Sequence, residues 1–181
     1  MRSYIKCLAI AAFALVGANS ANAQTAQQDI NITATVTKAC TINNVAVGTP
    51  NGTATIPVTA AGLVNTAAIT PTGSPFANVA CNAPSNLQLT SLSGGVVNAA
   101  AAPGGFSKII DYTASATWGG STATVNTSTV PTAVAAESGT AVAIAAANSG
   151  NLSVSITPIA NALPLITGTY NDVLRVSLIP Q

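Results

Sequence analysis

The chain lacks histidine entirely and has only five basic and four acidic residues among its 181 residues. Without histidine there is no Ser-His or Cys-His nucleophile pair, no imidazole ligand for a metal ion and no side chain that ordinarily exchanges protons near neutral pH. The nearly balanced charge excludes the strongly basic surface that nucleic-acid binding requires. The composition therefore predicts a protein that is not an enzyme, holds no metal or cofactor and binds no nucleic acid.

Motifs of catalysis are absent too, because the sequence contains neither a phosphate-binding glycine loop nor a nucleophile elbow. The acidic residues beyond position 23 are Asp29, Asp111, Glu137 and Asp172. Their spacing favours no pair of facing carboxylates, so we expect solvated turn and surface charges. Trp118 and Tyr112 offer a surface for stacking on a sugar, but they share one face of an alternating segment. We expect both aromatic residues to lie in the core.

The first 23 residues have the three parts of a signal peptide. Arg2 and Lys6 supply positive charge, residues 8–16 are apolar, and residues 21–23 (Ala-Asn-Ala) form a small-x-small cleavage site. The apolar run is shorter than the roughly 20 residues that span a bilayer. We expect cleavage after Ala23, export, and a mature protein without a membrane anchor.

Export also bears on the cysteines. Cleavage after residue 23 leaves Cys40 and Cys81 as the two cysteines of the mature chain. In an oxidising compartment, two cysteines indicate one disulfide, and two thiolates without further partners do not make a metal site. We predict a Cys40–Cys81 bond between two strands or strand ends, with two free buried thiols as the alternative.

Alternation of apolar and polar residues recurs along the mature chain, whereas helical periodicity is scarce. The alternating segments are 30–37, 87–90, 112–118, 152–157 and 173–178. Turn signals rich in glycine, proline and asparagine separate them, among them Asn-Ser-Gly at 148–150. Many short antiparallel strands of this kind predict an all-β fold with a β-sandwich architecture. The stretches 53–71 and 133–147 fit either an edge strand or a long loop.

Residues 24–37 form an amphipathic segment ahead of the first cysteine. Its apolar face consists of Ile30, Ile32, Ala34 and Val36, which alternate with polar residues. Such a segment is suited to be the first strand of its own sandwich. It is equally suited to complete the sheet of a neighbouring molecule, through main-chain hydrogen bonds and side chains that enter alternate pockets. The residues alone leave both interpretations open.

Three motifs in the mature chain resemble a known family. They are ITATVTKACTI at 32–42, VACN at 79–82 and GTYNDVLRVSL at 168–178. Together they resemble the spore coat protein U domain, a family that includes the Csu-type pilins of archaic chaperone–usher pili. The closing strand is the most specific motif. Its matching residues are Gly168, Tyr170, Asp172, Leu174, Val176 and Leu178.

The resemblance implies an immunoglobulin-like β-sandwich over residues 38–181 that lacks one strand, with residues 24–37 as the donor strand for the next subunit. It implies a structural subunit of a surface pilus, active in adhesion and biofilm formation, that passes through the periplasm. The implied partners are identical or related pilin subunits, a periplasmic chaperone and an outer-membrane usher. Two alternatives remain: a secreted monomeric coat-like or matrix protein closed by its own residues 24–37, and a small adhesive binding module.

Overall fold

The computed structural model describes residues 27–44, 52–73, 76–129 and 135–181. The signal peptide predicted at 1–23, its cleavage site and the first residues of the predicted donor strand at 24–26 lie outside these ranges. The chain divides into two units, Met1–Thr35 and Val36–Gln181. In the first unit, the described residues 27–35 have no regular secondary structure and are exposed.

The described residues of the second unit form twelve strands and one short 3₁₀ helix, Thr127–Thr129. The strands are β1 (Cys40–Ile42), β2 (Val79–Cys81), β3 (Ser85–Ser91), β4 (Val96–Val97), β5 (Ile109–Ile110), β6 (Tyr112–Trp118), β7 (Ser121–Asn126), β8 (Glu137–Ser138), β9 (Val142–Ile144), β10 (Asn148–Gly150), β11 (Ser153–Pro158) and β12 (Leu174–Pro180). Across these described ranges, no helix is long and apolar enough to cross a membrane. The predicted all-β fold is confirmed.

Two antiparallel sheets enclose the main core. One sheet has the strand order β11-β6-β7, and the other has the order β12-β3-β8, with β9 also paired to β3. Because successive side chains of a strand point to opposite faces, Leu87 and Leu89 of β3 and Ala114 and Ala116 of β6 are fully buried. Strand β3 contacts β6 and β7 of the facing sheet. This arrangement is the β-sandwich that the alternation predicts.

A smaller sheet of order β1-β2-β10 carries the disulfide. Cys40 of β1 lies directly opposite Cys81 of β2 in the ladder, and their sulfurs are bonded. The predicted cross-link between two strands is confirmed. It joins residues 41 positions apart in the sequence, and in the chain-entropy model a loop of this length stabilises the fold by about 4 kcal/mol.

The turn predicted at 148–150 is wrong. Asn148–Gly150 form β10, which pairs with β2 on the side opposite β1. The Asn-Ser-Gly sequence is typical of a turn, but backbone pairing with β2 places these residues in a strand. Gly150 has a φ of 139°, a backbone conformation that glycine adopts readily.

The two ambiguous stretches have different outcomes. Residues 53–71 lie in a loop that folds back on itself, with bridges from Thr53 to Thr72 and from Val58 to Val64. Ile69, near its end, pairs with Ile156 of β11. In the second stretch, the residues from 135 onwards include β8 and β9, both of which pair with β3. The first stretch is therefore mainly a loop, and the described part of the second contains edge strands.

Candidate functional site

One side of the sandwich is closed by contact between edge strands. β7, at the edge of one sheet, contacts β8 and β9 of the other sheet. The Ser121 hydroxyl donates a hydrogen bond of 3.3 Å to the carbonyl oxygen of Ala143. A side chain on Gly139 would overlap the carbonyl group of Thr124, so the close approach of the backbones requires glycine there.

The opposite side, where β11 and β12 lie, is open at the outer edge of β12, which contacts β1 without pairing with it. β12 pairs with β3 along one edge, and no strand in the described residues pairs with its other edge. A strand edge of this kind presents a row of N–H and C=O groups on which a further strand can form a ladder. Among the described residues, the outer edge of β12 therefore leaves its backbone groups without a partner strand.

A groove of about 800 Å³, lined by both apolar and polar residues, follows this open side. Its walls come from β12, β11, the end of β1 and the loop around residues 52–71. Several of its side chains pack on the core yet remain half-buried. These are Ile42, Ile69, Phe76, Val96, Leu174 and Val176. Because core side chains are incompletely covered along one seam, an inserted apolar strand would bury them further.

The predicted donor-strand residues are exposed. Ile30, Ile32 and Val36 have exposed fractions of 82, 90 and 79%, and Ala34 between them is exposed as well. Residues 27–39 have no strand assignment. Burial of a large apolar side chain stabilises a protein by roughly 1.5–3 kcal/mol, and an exposed side chain does not contribute this free energy. The role of these side chains as a donor strand stays a prediction.

Asn82, the last residue of the VACN motif, fixes the chain just before β1. Its side-chain amide donates to the Thr37 carbonyl oxygen at 2.8 Å. Its side-chain oxygen accepts from the Ala39 amide at 2.7 Å. This pair of side-chain-to-backbone bonds holds the chain at Thr37, the last residue of the predicted donor segment, and at Ala39 just beyond it.

The glycine and tyrosine of the GTYND motif shape the loop that leads into β12. Gly168 has a φ of 136°, and a Cβ there would lie 2.6 Å from the Asn98 side-chain nitrogen, which favours glycine. The Tyr170 hydroxyl donates to the backbone oxygen of Ile166 at 2.9 Å and to that of Ser107 at 3.2 Å. Burial raises the pKa of the Tyr170 phenol. Gly168 and Tyr170 therefore position the chain that leads into β12.

Asp172 is not the solvated surface charge that the sequence predicts. The carboxylate is half-buried and accepts from the Tyr112 hydroxyl at 2.5 Å and from the Ser91 hydroxyl at 2.6 Å. Its other oxygen accepts from the backbone amides of Ser93 at 2.9 Å and Val173 at 2.7 Å. The prediction is wrong because Ser91 and Tyr112 lie 81 and 60 positions away in the sequence. Burial, followed by the Asp172 hydrogen bond, raises the pKa of Tyr112.

Trp118 and Tyr112 are core residues, as the alternation predicts. Each is 2% exposed and belongs to the main apolar cluster. A sugar ring cannot stack on side chains that are covered in this way, so the sugar-platform alternative for this pair is wrong. In the described ranges, no three His, Cys, Asp or Glu side chains are grouped as a metal site would need.

No family model matches the chain, and neither a curated protein nor a solved structure matches it.

Proposed function

We propose that this protein is a structural subunit of a surface fibre in which residues 24–37 of one copy complete the β-sandwich of the next. The observation that carries the proposal is the asymmetry of the sandwich, which is closed where β7 meets β9 and open along β12. A free edge beside half-buried apolar side chains is a hazard in a solitary protein. In a fibre subunit it is the docking site for the neighbour's strand.

The length of the segment suits the free edge of β12. β12 has 7 residues, and the alternating stretch 30–36 has the same length, so one such strand covers the whole free edge. Alternate residues of an added strand face the core. Ile30, Ile32, Ala34 and Val36 then enter the groove from one side, where Leu174 and Val176 already line it.

The energetics favour insertion only when the side chains fit. Burying each isoleucine or valine contributes roughly 1.5–3 kcal/mol, and each backbone hydrogen bond adds about 0.5–1.5 kcal/mol. Ordering the segment costs about 1–2 kcal/mol per residue. Because these opposing contributions are similar in size, strand uptake depends on filled pockets, which makes it selective for a complementary sequence.

Strand donation from one copy to the next joins two different surfaces, and such head-to-tail contacts build open fibres. The low charge of the chain suits close stacking, because few like charges repel one another. The resemblance to spore coat protein U pilins supports a periplasmic chaperone that occupies the groove first and an outer-membrane usher that exchanges it. The same resemblance supports a role in adhesion and biofilm formation at the cell surface.

Gel mobility tests the proposal. Wild-type protein exported together with its chaperone and usher should form a ladder of multimers on unboiled denaturing gels, and boiling should collapse the ladder to monomer. A folded, monodisperse wild-type monomer obtained without any partner contradicts the proposal. That result would favour the secreted monomeric coat-like protein, in which residues 24–37 close their own sandwich.

A further inference from the structure

On the open side of the sandwich, a polar connection joins the two sheets through Asp172. Ser91 is the last residue of β3, and Tyr112 is the first residue of β6 in the facing sheet. The Asp172 carboxylate binds both hydroxyls through the same oxygen, at 2.6 Å and 2.5 Å. A single side chain thus links the β12-β3 sheet to the β11-β6-β7 sheet.

The chemistry of this link makes it rigid. A carboxylate only accepts hydrogen bonds, and bonds to an ionised acceptor are short and strong. Ser91 is fully buried and Tyr112 nearly so, so neither hydroxyl readily exchanges Asp172 for water. The Ser91 oxygen also accepts from the Gly95 amide at 3.0 Å, which fixes the serine side chain.

The link also lies at the groove. Tyr112 and Asp172 both line it, and Asp172 is two positions before Leu174, where β12 begins. The backbone on either side is fixed as well. Asn171 exchanges two 3.0 Å hydrogen bonds with Val97, and the Val173 carbonyl oxygen accepts from the Leu92 amide at 3.0 Å. The carboxylate therefore determines where the free edge of β12 starts relative to β6.

We infer that Asp172 is a positioning residue for strand uptake, which holds the groove at the width that an incoming strand requires. The inference rests on the proposed function. On the closed side, direct contact between β7 and β9 sets the spacing of the sheets; on the open side, the Asp172 link does so before a strand arrives. A seated strand adds its own ladder and its own apolar contacts between the sheets. Asp172 therefore affects acceptance of the strand more than its retention.

The experiment separates uptake from retention. The full mature chain carrying Ile32→Asp, purified with the chaperone that keeps its body folded, provides a groove whose own donor segment does not compete. A fluorescein-labelled peptide of residues 24–37 is the probe, and its association and dissociation rates are followed by fluorescence anisotropy. Adding Asp172→Asn should lower the association rate about tenfold, the factor equivalent to about 1.4 kcal/mol. The dissociation rate should change by less than about threefold, because the seated strand carries its own contacts.

Two further variants keep the test decisive. Asp111→Asn is the matched control, because it loses the same charge at a residue absent from the groove lining. Among the described residues, the Asp111 side chain accepts a 3.3 Å bond from the Thr127 hydroxyl. Both rates should stay unchanged. Tyr112→Phe removes one of the two hydroxyl donors to Asp172 without changing the charge. It should also slow association of the peptide, and it replaces Asp172→Asn as the test if that variant does not fold.

An unchanged association rate in Asp172→Asn, or equal changes in both rates, overturns the inference, since general destabilisation would act on both. A parent groove that binds no peptide contradicts the proposed function itself, so the two failures are distinguishable.

Discussion

Replacing Ile32 with aspartate perturbs the proposed assembly at the centre of the donor segment. Ile32 is 90% exposed in the single chain, so the substitution should leave the body of the sandwich intact. In a neighbour's groove, the same change forfeits roughly 1.5–3 kcal/mol of apolar burial. It also takes a carboxylate out of water to lie beside Leu174 and Val176, which costs several kcal/mol more unless a cation pairs with it. A combined loss of about 5 kcal/mol weakens association by three to four orders of magnitude.

The matched control is Thr33→Asp, which introduces the same charge one position along, on the opposite face of the strand. Both variants are exported with chaperone and usher and run on unboiled gels. We expect a normal ladder for Thr33→Asp and monomers alone for Ile32→Asp. A tethered C-terminal copy of residues 24–37 should keep the Ile32→Asp body folded, as reported by Trp118, the single tryptophan. A full ladder from Ile32→Asp, or unfolding despite the tethered copy, would refute this reasoning.

Three further predictions concern the body of the sandwich. Cys81→Ala should destabilise it by about 2–5 kcal/mol and expose the exported protein to proteolysis; an unchanged periplasmic yield and unfolding midpoint would contradict the role of the disulfide. Gly168→Ala should cost about 1–3 kcal/mol, because φ is 136° and Asn98 lies against the missing side chain; denaturant unfolding measures it, and an unchanged midpoint counts against the prediction. Because the folded-state pKa of Tyr112 is raised, its stabilising contribution is present below the unfolded pKa of about 10 and is lost as pH rises beyond it. Alkaline unfolding of Tyr112→Phe should have a weaker pH dependence above that value, and an identical slope would contradict it.

The sequence predicts elements whose pattern is local. The alternation from Tyr112 to Trp118 becomes β6 with each apolar residue buried, because a period of two specifies both strand and face. The closing strand is predicted for the same reason. The segment 148–150 is missed because β10 is defined by its pairing with β2, and its Asn-Ser-Gly sequence carries turn chemistry.

The candidate site was only partly predictable. The disulfide follows from the cysteine count, whereas the connections of Asp172 to Ser91 and Tyr112 depend on two strands that meet only in the folded chain. The GTYND motif draws attention to Asp172 without giving its partners. The groove depends on the order of strands in the sheets, because it lies where β12, the edge strand of one sheet, is opposite β11, the edge strand of the other. Pairing order between distant strands has no local signal in a sequence of this kind.

Inter-subunit cross-linking tests the central claim most directly. Ala34, at the centre of the donor segment, is replaced with a photo-reactive benzoylphenylalanine, and fibres are assembled from an equal mixture of ordinary and nitrogen-15-labelled subunits. After irradiation, mass spectrometry identifies the linked peptides. The proposal predicts mixed-isotope pairs that join residue 34 to peptides lining the groove, from β12 or from the segment around Ile69. Links confined to a single isotope, or links to surfaces away from the groove, would contradict strand donation between copies.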